Sequence, residues 1–194
     1  SEKKIIKVKN LLLKRKIDYL FVTAPENVAW ILNIRGHDSA FSPIPNSRLL
    51  INKNGEIYLF AQMRKLTKIK NKLSKKIKFY DEEEIERKLN NIWKNNIWID
   101  SLTCSIYYKN LLKKRNTIIN KIDPIYFLKS IKNSTEIKNM KKSHMVDGIA
   151  LTKFLFWLKK NFRKKKITEI SAQLKLENFR KMNKNYKFPS FSTI

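Results

Sequence analysis

The sequence predicts an α/β protein: a mixed sheet with helices on both faces over residues 1–128, then two long helices. Three observations carry this. Apolar runs of strand length, at 18–23, 48–52, 56–60, 77–80, 97–100 and 117–122, alternate with segments of helical spacing. The first run, Asp18-Tyr-Leu-Phe-Val-Thr23, is apolar almost throughout, as a strand buried on both faces requires. From Asn133 the strand-length runs stop and apolar residues recur three and four apart.

Taken in order, Ile5, Val8 and Leu12 fall on one face of a helix over residues 2–16, among Lys and Arg that keep the other face in water. After the strand at 18–23, Pro25 suits the first turn of a helix whose buried face comes from Val28 to Leu32, with Glu26 near the positive end of its dipole. Residues 33–45 form an ordered loop of functional length. Gly36 accepts a positive φ there, and Pro43 and Pro45 prevent regular pairing. Asn54-Gly55 then joins two apolar runs as a tight hairpin. A basic helix runs to about residue 75, with a strand at 77–80. Asp81-Glu-Glu-Glu84 reads as a capping box opening a helix to Trp93. A strand at 97–100, a helix at 105–114 and a strand at 117–122 follow, and Asp123-Pro124 breaks the last.

The remainder begins at Asn133-Ser-Thr-Glu136, a second capping-box pattern. Ile137, Met140, His144, Gly148, Leu151, Leu155, Leu158 and Phe162 then share one helical face for roughly seven turns, with Gly148 expected at a close contact. After the basic run 163–166, Thr168 caps a second helix to about residue 183 and Glu169 complements its dipole. Residues 188–194 read as the start of a strand.

These residues also carry a resemblance. The ordered phrases Ile131-Lys-Asn-Ser-Thr-Glu-Ile-Lys-Asn-Met140, Ser143-His-Met-Val-Asp-Gly-Ile-Ala-Leu151, Phe154-Leu-Phe-Trp-Leu158, Ile167-Thr-Glu-Ile-Ser171, Glu177-Asn-Phe-Arg180 and Phe188-Pro-Ser-Phe-Ser-Thr-Ile194 resemble the entry into the catalytic domain of the Xaa-Pro aminopeptidase (aminopeptidase P) family. Ala29, Trp30, Asn33, Arg35, Gly36, Asp38, Ser42 and Pro43 resemble a phrase of its long, three-domain type. His37 departs from it where a small residue is usual, and residues 45–48 replace a more aromatic run.

The resemblance implies a creatinase N-terminal-like α/β domain at 1–128 and the start of a truncated pita-bread metallopeptidase domain at 129–194. It implies an intact enzyme that removes the first residue of short peptides with proline in second position. That enzyme works with two divalent metal ions, usually manganese, as a homodimer. The metal ligands would all lie beyond Ile194, so this chain is expected to hold no catalytic residue, no metal ligand and no activity of its own. Arg35, His37 and Asp38 are the candidate substrate-access residues, shaping the mouth of a site supplied by the missing domain. For Arg35 the competing reading is an internal pair with Asp38. Creatinase and prolidase share the fold and are the nearest rivals; residues 167–171 and 33–38 favour aminopeptidase P.

Composition limits the other classes. The net charge of +27, from 43 Lys and Arg against 16 Asp and Glu, first calls for a basic nucleic-acid-binding module. The cations are spread along the whole chain, though, and accompany abundant Ile and Asn with only three Gly. Lys, Ile and Asn have codons rich in A and T, so genomic drift accounts for the charge, and no nucleic-acid partner is expected. There is no charged-then-apolar leader and no apolar stretch of bilayer length, so a soluble, cytoplasmic protein without a membrane partner is expected. The single Cys104 excludes an internal disulfide and reads as a small buried hydrophobe. With only His37 and His144 in the chain, His144 reads as an interface histidine one helical turn from Asp147, not as a metal ligand. Trp30 reads as core.

Overall fold

The computed structural model of the chain describes residues 2–164 and 166–191, which fall into two compact units, residues 1–131 and 132–194.

In the first unit, α1 (Glu2–Lys14) leads through a left-handed Lys16 (φ 55°) into β1 (Tyr19–Val22) and α2 (Pro25–Leu32). The hairpin β2 (Arg48–Asn52) and β3 (Ile57–Phe60) follows, then α3 (Met63–Ile69) and β4 (Ile77–Tyr80). α4 (Ile85–Asn90), β5 (Asn96–Ile99), α5 (Ile106–Lys113), β6 (Thr117–Asn120) and α6 (Pro124–Ser130) complete it. The six strands lie in the order β4-β3-β2-β1-β5-β6. β1 runs antiparallel to β2 and β2 to β3, while the pairs β1–β5, β5–β6 and β3–β4 are parallel, so the sheet is mixed as predicted.

Strand side chains alternate between two cores. Leu20, Val22, Leu49, Ile51, Ile57 and Leu59 pack with Val8 and Leu12 of α1, Val28 and Ile31 of α2, Leu66 of α3 and Ile125 of α6. On the other face, Phe21, Leu50, Phe60, Ile97 and Ile99 pack with Ile85 and Leu89 of α4 and Leu111 and Leu112 of α5. Burial on both faces is why these strands read as continuous apolar runs. Cys104 lies in the second core, and burial pushes its thiol up to about 11, as its reading as a hydrophobe requires. Trp30 is partly buried against the first core with the Lys4 ammonium 3.9 Å from its ring centre.

Several local expectations hold and several shift. Asp81 and Glu84 make both arms of a capping box, first into a 3₁₀ turn and then into α4. α4 stops at Asn90, and Trp93 lies in solvent with Lys94 Nζ 5.0 Å from its ring. The β2–β3 connection takes residues 53–56: Gly55 N–H donates to the Asn52 carbonyl (2.9 Å), and within it Gly55 alone takes positive φ (89°). α6 runs through residues 128 and 129, where the sequence predicts a division of the chain. Its start is set by Asp123, whose carboxylate accepts from the Ile125 amide (2.8 Å), and the first compact unit ends at residue 131.

In the second unit, α7 (Ser134–Asn161) opens on the predicted capping box: Asn133 accepts from the Glu136 amide and Glu136 from the Asn133 amide, each at 2.9 Å. α8 (Glu169–Lys181) opens on Thr168, which makes a reciprocal pair with Ser171. The face of α7 that loses solvent on packing with α8 runs through Val146, Ala150, Phe154 and Trp157. It is not the predicted stripe. Leu151 and Leu155 follow Ala150 and Phe154 by one residue, about 100° round the helix, and stay 40 % and 54 % exposed. Gly148 makes no close contact, since a Cβ there would meet nothing within 4 Å. Residues 188–191 form no strand, and residues 192–194 of that predicted strand lie outside the described residues.

Candidate functional site

The loop carrying Arg35, His37 and Asp38 is launched by the end of α2. Asn33 takes the left-handed conformation (φ 57°) that closes the helix, and the Ile34 amide donates to the Ala29 carbonyl (3.0 Å). Ile34 and Ser47 are buried and form the neck, whereas no residue from 35 to 46 is buried. Loops that cannot bury apolar side chains need polar ties, and this one has them. The Gly36 amide donates to the Pro43 carbonyl (3.1 Å), which brings the two sides of the loop together. Gly36 is needed there for space, not for a positive φ: a Cβ on it would sit 2.7 Å from Pro45 Cα. The tip closes on a bridge between Ser39 and Ser42 and leaves Phe41 exposed.

Asp38 is the polar centre of the loop. One carboxylate oxygen accepts from the Asn46 amide (2.7 Å) and lies 2.8 Å from Lys65 Nζ on α3. Lys65, then the Asn46 amide, hold this carboxyl below the usual carboxylate range. The expected Arg35–Asp38 pair is not formed. Lys65 takes that place because α3 brings it alongside, while the Arg35 guanidinium turns back to the Ile34 carbonyl (2.8 Å) and is otherwise presented to solvent. His37 is exposed on the same loop.

A second polar cluster escaped sequence reasoning. At the carboxyl ends of the parallel strands β1, β5 and β6, Asn27, Asp100 and Asp123 are each at most 4 % exposed. Asn27 Nδ2 donates to Asp123 (2.8 Å), Lys129 Nζ to Asn27 Oδ1 (2.7 Å), and the Asp123 amide to Asp100 (2.9 Å). Tyr126 Oη donates to Glu26 (2.6 Å), a second tie between α6 and α2. Burial pushes the Asp123 carboxyl up; Asn27 and the Ile125 amide oppose it, Asp100 adds to the rise and Lys129 opposes it. Ligands of open α/β sheets often bind at such strand ends. Here the groups satisfy one another, and among the described residues no buried polar side-chain atom lacks a partner. The cluster therefore fastens α6 to α2. The signal available in sequence was Asn27, a polar residue inside an apolar helical run, together with the cap-forming Asp123-Pro124.

In the second unit, a groove of about 880 Å³ lies beside α7 and α8, lined by Val146, Ala150, Phe179, Phe188 and Phe191 among others. His144 is exposed on its rim, not held in an interface. Asp147 turns from His144 to Arg180, which grips it with two hydrogen bonds (2.7 and 3.2 Å). Among the described residues, no three His, Cys, Asp or Glu side chains come together as a metal site, and no helix is long and apolar enough to cross a membrane.

The mixed sheet with helices on both faces and its α2–β2 loop mark a class, and the chain belongs to the Creatinase/Prolidase N-terminal domain family, which it matches over residues 1–136. It is 33 % identical over its whole length to an Xaa-Pro aminopeptidase of Dictyostelium discoideum, of which it covers 32 %. It is 34 % identical over 96 % of its length to an Xaa-Pro aminopeptidase of Drosophila melanogaster, of which it covers 31 %. The chain thus spans about a third of the length of these curated relatives. Its fold matches 32 % of an X-prolyl aminopeptidase from Caenorhabditis elegans, described as a cytosolic enzyme with a di-nuclear active site, over 99 % of this chain with a TM-score of 0.85 and 24 % identity. A prolidase from Pyrococcus horikoshii matches 93 % of the chain, and 48 % of itself, with a TM-score of 0.68 and 20 % identity.

Proposed function

We propose that this chain is the N-terminal portion of a cytoplasmic, dimetal aminopeptidase that removes the first residue from short peptides with proline in second position. The observation that carries the reading is the reach of the sequence match. It runs past the N-terminal family domain, which ends at residue 136, and takes in the whole chain at 33 % identity to an Xaa-Pro aminopeptidase. In this reading residues 132–194 are the leading helices of a pita-bread catalytic domain, and the intact protein is a homodimer.

The described residues do not fit a dinuclear metal centre, so no chemical step is placed on them. When bound elsewhere in the longer protein, two divalent ions, manganese in our reading, supply Lewis-acid activation of a carbonyl and of water. This chain contributes access. Arg35 and His37 are presented on an exposed loop, and Asp38 holds that loop's conformation through the Asn46 amide and Lys65, the arrangement that positions a substrate without burying it.

The test assays this chain, and the same chain extended through the length of its relatives, for release of the first residue from Xaa-Pro peptides and for metal retained after dialysis. The extended protein should retain metal and cleave, and this chain alone should do neither. Cleavage by this chain alone would overturn the placement of the chemistry. Cleavage of dipeptides only by the extended protein would move the assignment to prolidase.

A further inference from the structure

We infer that Lys65 is a positioning residue that keeps Arg35 available to substrate by occupying Asp38, the carboxylate with which Arg35 would otherwise pair. The inference rests on the peptidase reading above. Arg35 and Asp38 lie three residues apart on one exposed loop, and an acid and a base that close normally find each other. They do not here. The Asp38 oxygen that accepts from the Asn46 amide also lies 2.8 Å from Lys65 Nζ, and the Arg35 guanidinium donates only a short-range bond to the carbonyl of its neighbour Ile34.

The competition is biased by where Lys65 stands. Its neighbour Leu66 is 1 % exposed in the core, and the first turn of α3 is tied down by the Met63 amide, which donates to Asp81 (2.9 Å). An ammonium carried on a fixed helix loses less freedom on pairing than a guanidinium carried on a loop with no buried residue from 35 to 46. The Lys65 and Asp38 side chains are 31 % and 26 % exposed, sheltered enough for the pair to outlast an ordinary surface contact. The planar guanidinium left facing solvent is suited to bidentate recognition of a carboxylate, such as the C-terminal end of a short peptide.

A strut and a decoy predict opposite results. If Lys65 only braced the loop, removing either partner would be harmful and removing both would be no better. If it keeps Asp38 from capturing Arg35, Lys65→Ala should be harmful and a second change, Asp38→Asn, should relieve it. The experiment uses the extended protein and an Xaa-Pro peptide. Lys65→Ala should raise KM about tenfold, the size of one charge-assisted hydrogen bond lost to substrate, with kcat within about twofold. Lys65→Ala with Asp38→Asn should return KM to within about threefold of the parent, and Lys65→Arg should match the parent. An unchanged KM in Lys65→Ala, or a double variant as impaired as the single one, overturns the inference. A structure of this chain carrying Lys65→Ala decides the same point without activity: the Arg35 guanidinium should move onto Asp38, and its staying on the Ile34 carbonyl would also overturn the inference. If the parent extended protein cleaves no Xaa-Pro peptide, the peptidase reading fails, while that structural arm still judges the competition between Lys65 and Arg35.

Discussion

The two units of this chain use the same local grammar and reach different ends. Both open helices on capping boxes, at Asp81–Glu84 in the first and at Asn133–Glu136 and Thr168–Ser171 in the second. Both carry ion pairs, Lys53–Asp18 in one and Arg180–Asp147 in the other. Yet the first buries two cores on opposite faces of a sheet, while in the second Ala150 alone among the described residues is buried. Caps and pairs decide where a helix starts and stops. They contribute roughly 1 kcal/mol each or less, far below the ordering cost of the chain, so stability follows layers that can cover one another.

The largest expected effect comes from separating the units. Residues 1–131 expressed alone should unfold in one cooperative transition, whereas residues 132–194 alone should show a shallow, non-cooperative loss of helix on heating. Thermal melts followed by circular dichroism make the comparison, and a cooperative melt of the second segment would break it. A smaller effect separates single side chains of one kind. Leu49→Ala, at a position 0 % exposed, should cost about 2–5 kcal/mol, as buried leucines do. Leu155→Ala, 54 % exposed, should change the stability of this chain by less than about 0.5 kcal/mol. Urea titration of each variant measures both. Equal losses would mean that the second unit has a core of its own.

The smallest effect sharpens the contrast within the first unit, because Asp38 and Asp123 titrate with opposite sign. The Asp38 value is lowered by Lys65 and the Asn46 amide. Its contribution is therefore present above the unfolded value of about 3.9 and is lost as pH falls through the folded one. Burial raises Asp123 instead, so its contribution is full below the unfolded value and is lost as pH rises through the folded one. Relative to the parent, Asp38→Asn should weaken the loss of stability on acidification, and Asp123→Asn should steepen it. Urea midpoints between about pH 3 and 7 test both signs.

Much of the first unit is legible because its signals are local. Gly55 is required by the hairpin loop, Pro25 by the first turn of α2, and the continuous apolar runs by burial on two faces. The Arg35–Asp38 pair was the natural reading of proximity in sequence. It failed because Lys65 is brought in by α3, across a hairpin that says nothing about it. The Asn27–Asp123–Lys129 network joins residues about a hundred positions apart, and periodicity cannot see such links. On α7 the spacing of apolar residues was read correctly as helical, but the helix offers two apolar strips, and only the approach of α8 selects the one through Ala150.

The sequence by itself determined the element types, their caps, the hairpin and the two-faced character of the strands, since each depends on the conformational preferences of a few adjacent residues. The tertiary structure alone decided the strand order, the partner of Asp38, the clamp on α6 and the buried face of α7. Each of these is a choice among groups equally able to pair, and the choice falls to whichever group packing brings within about 3 Å of the other.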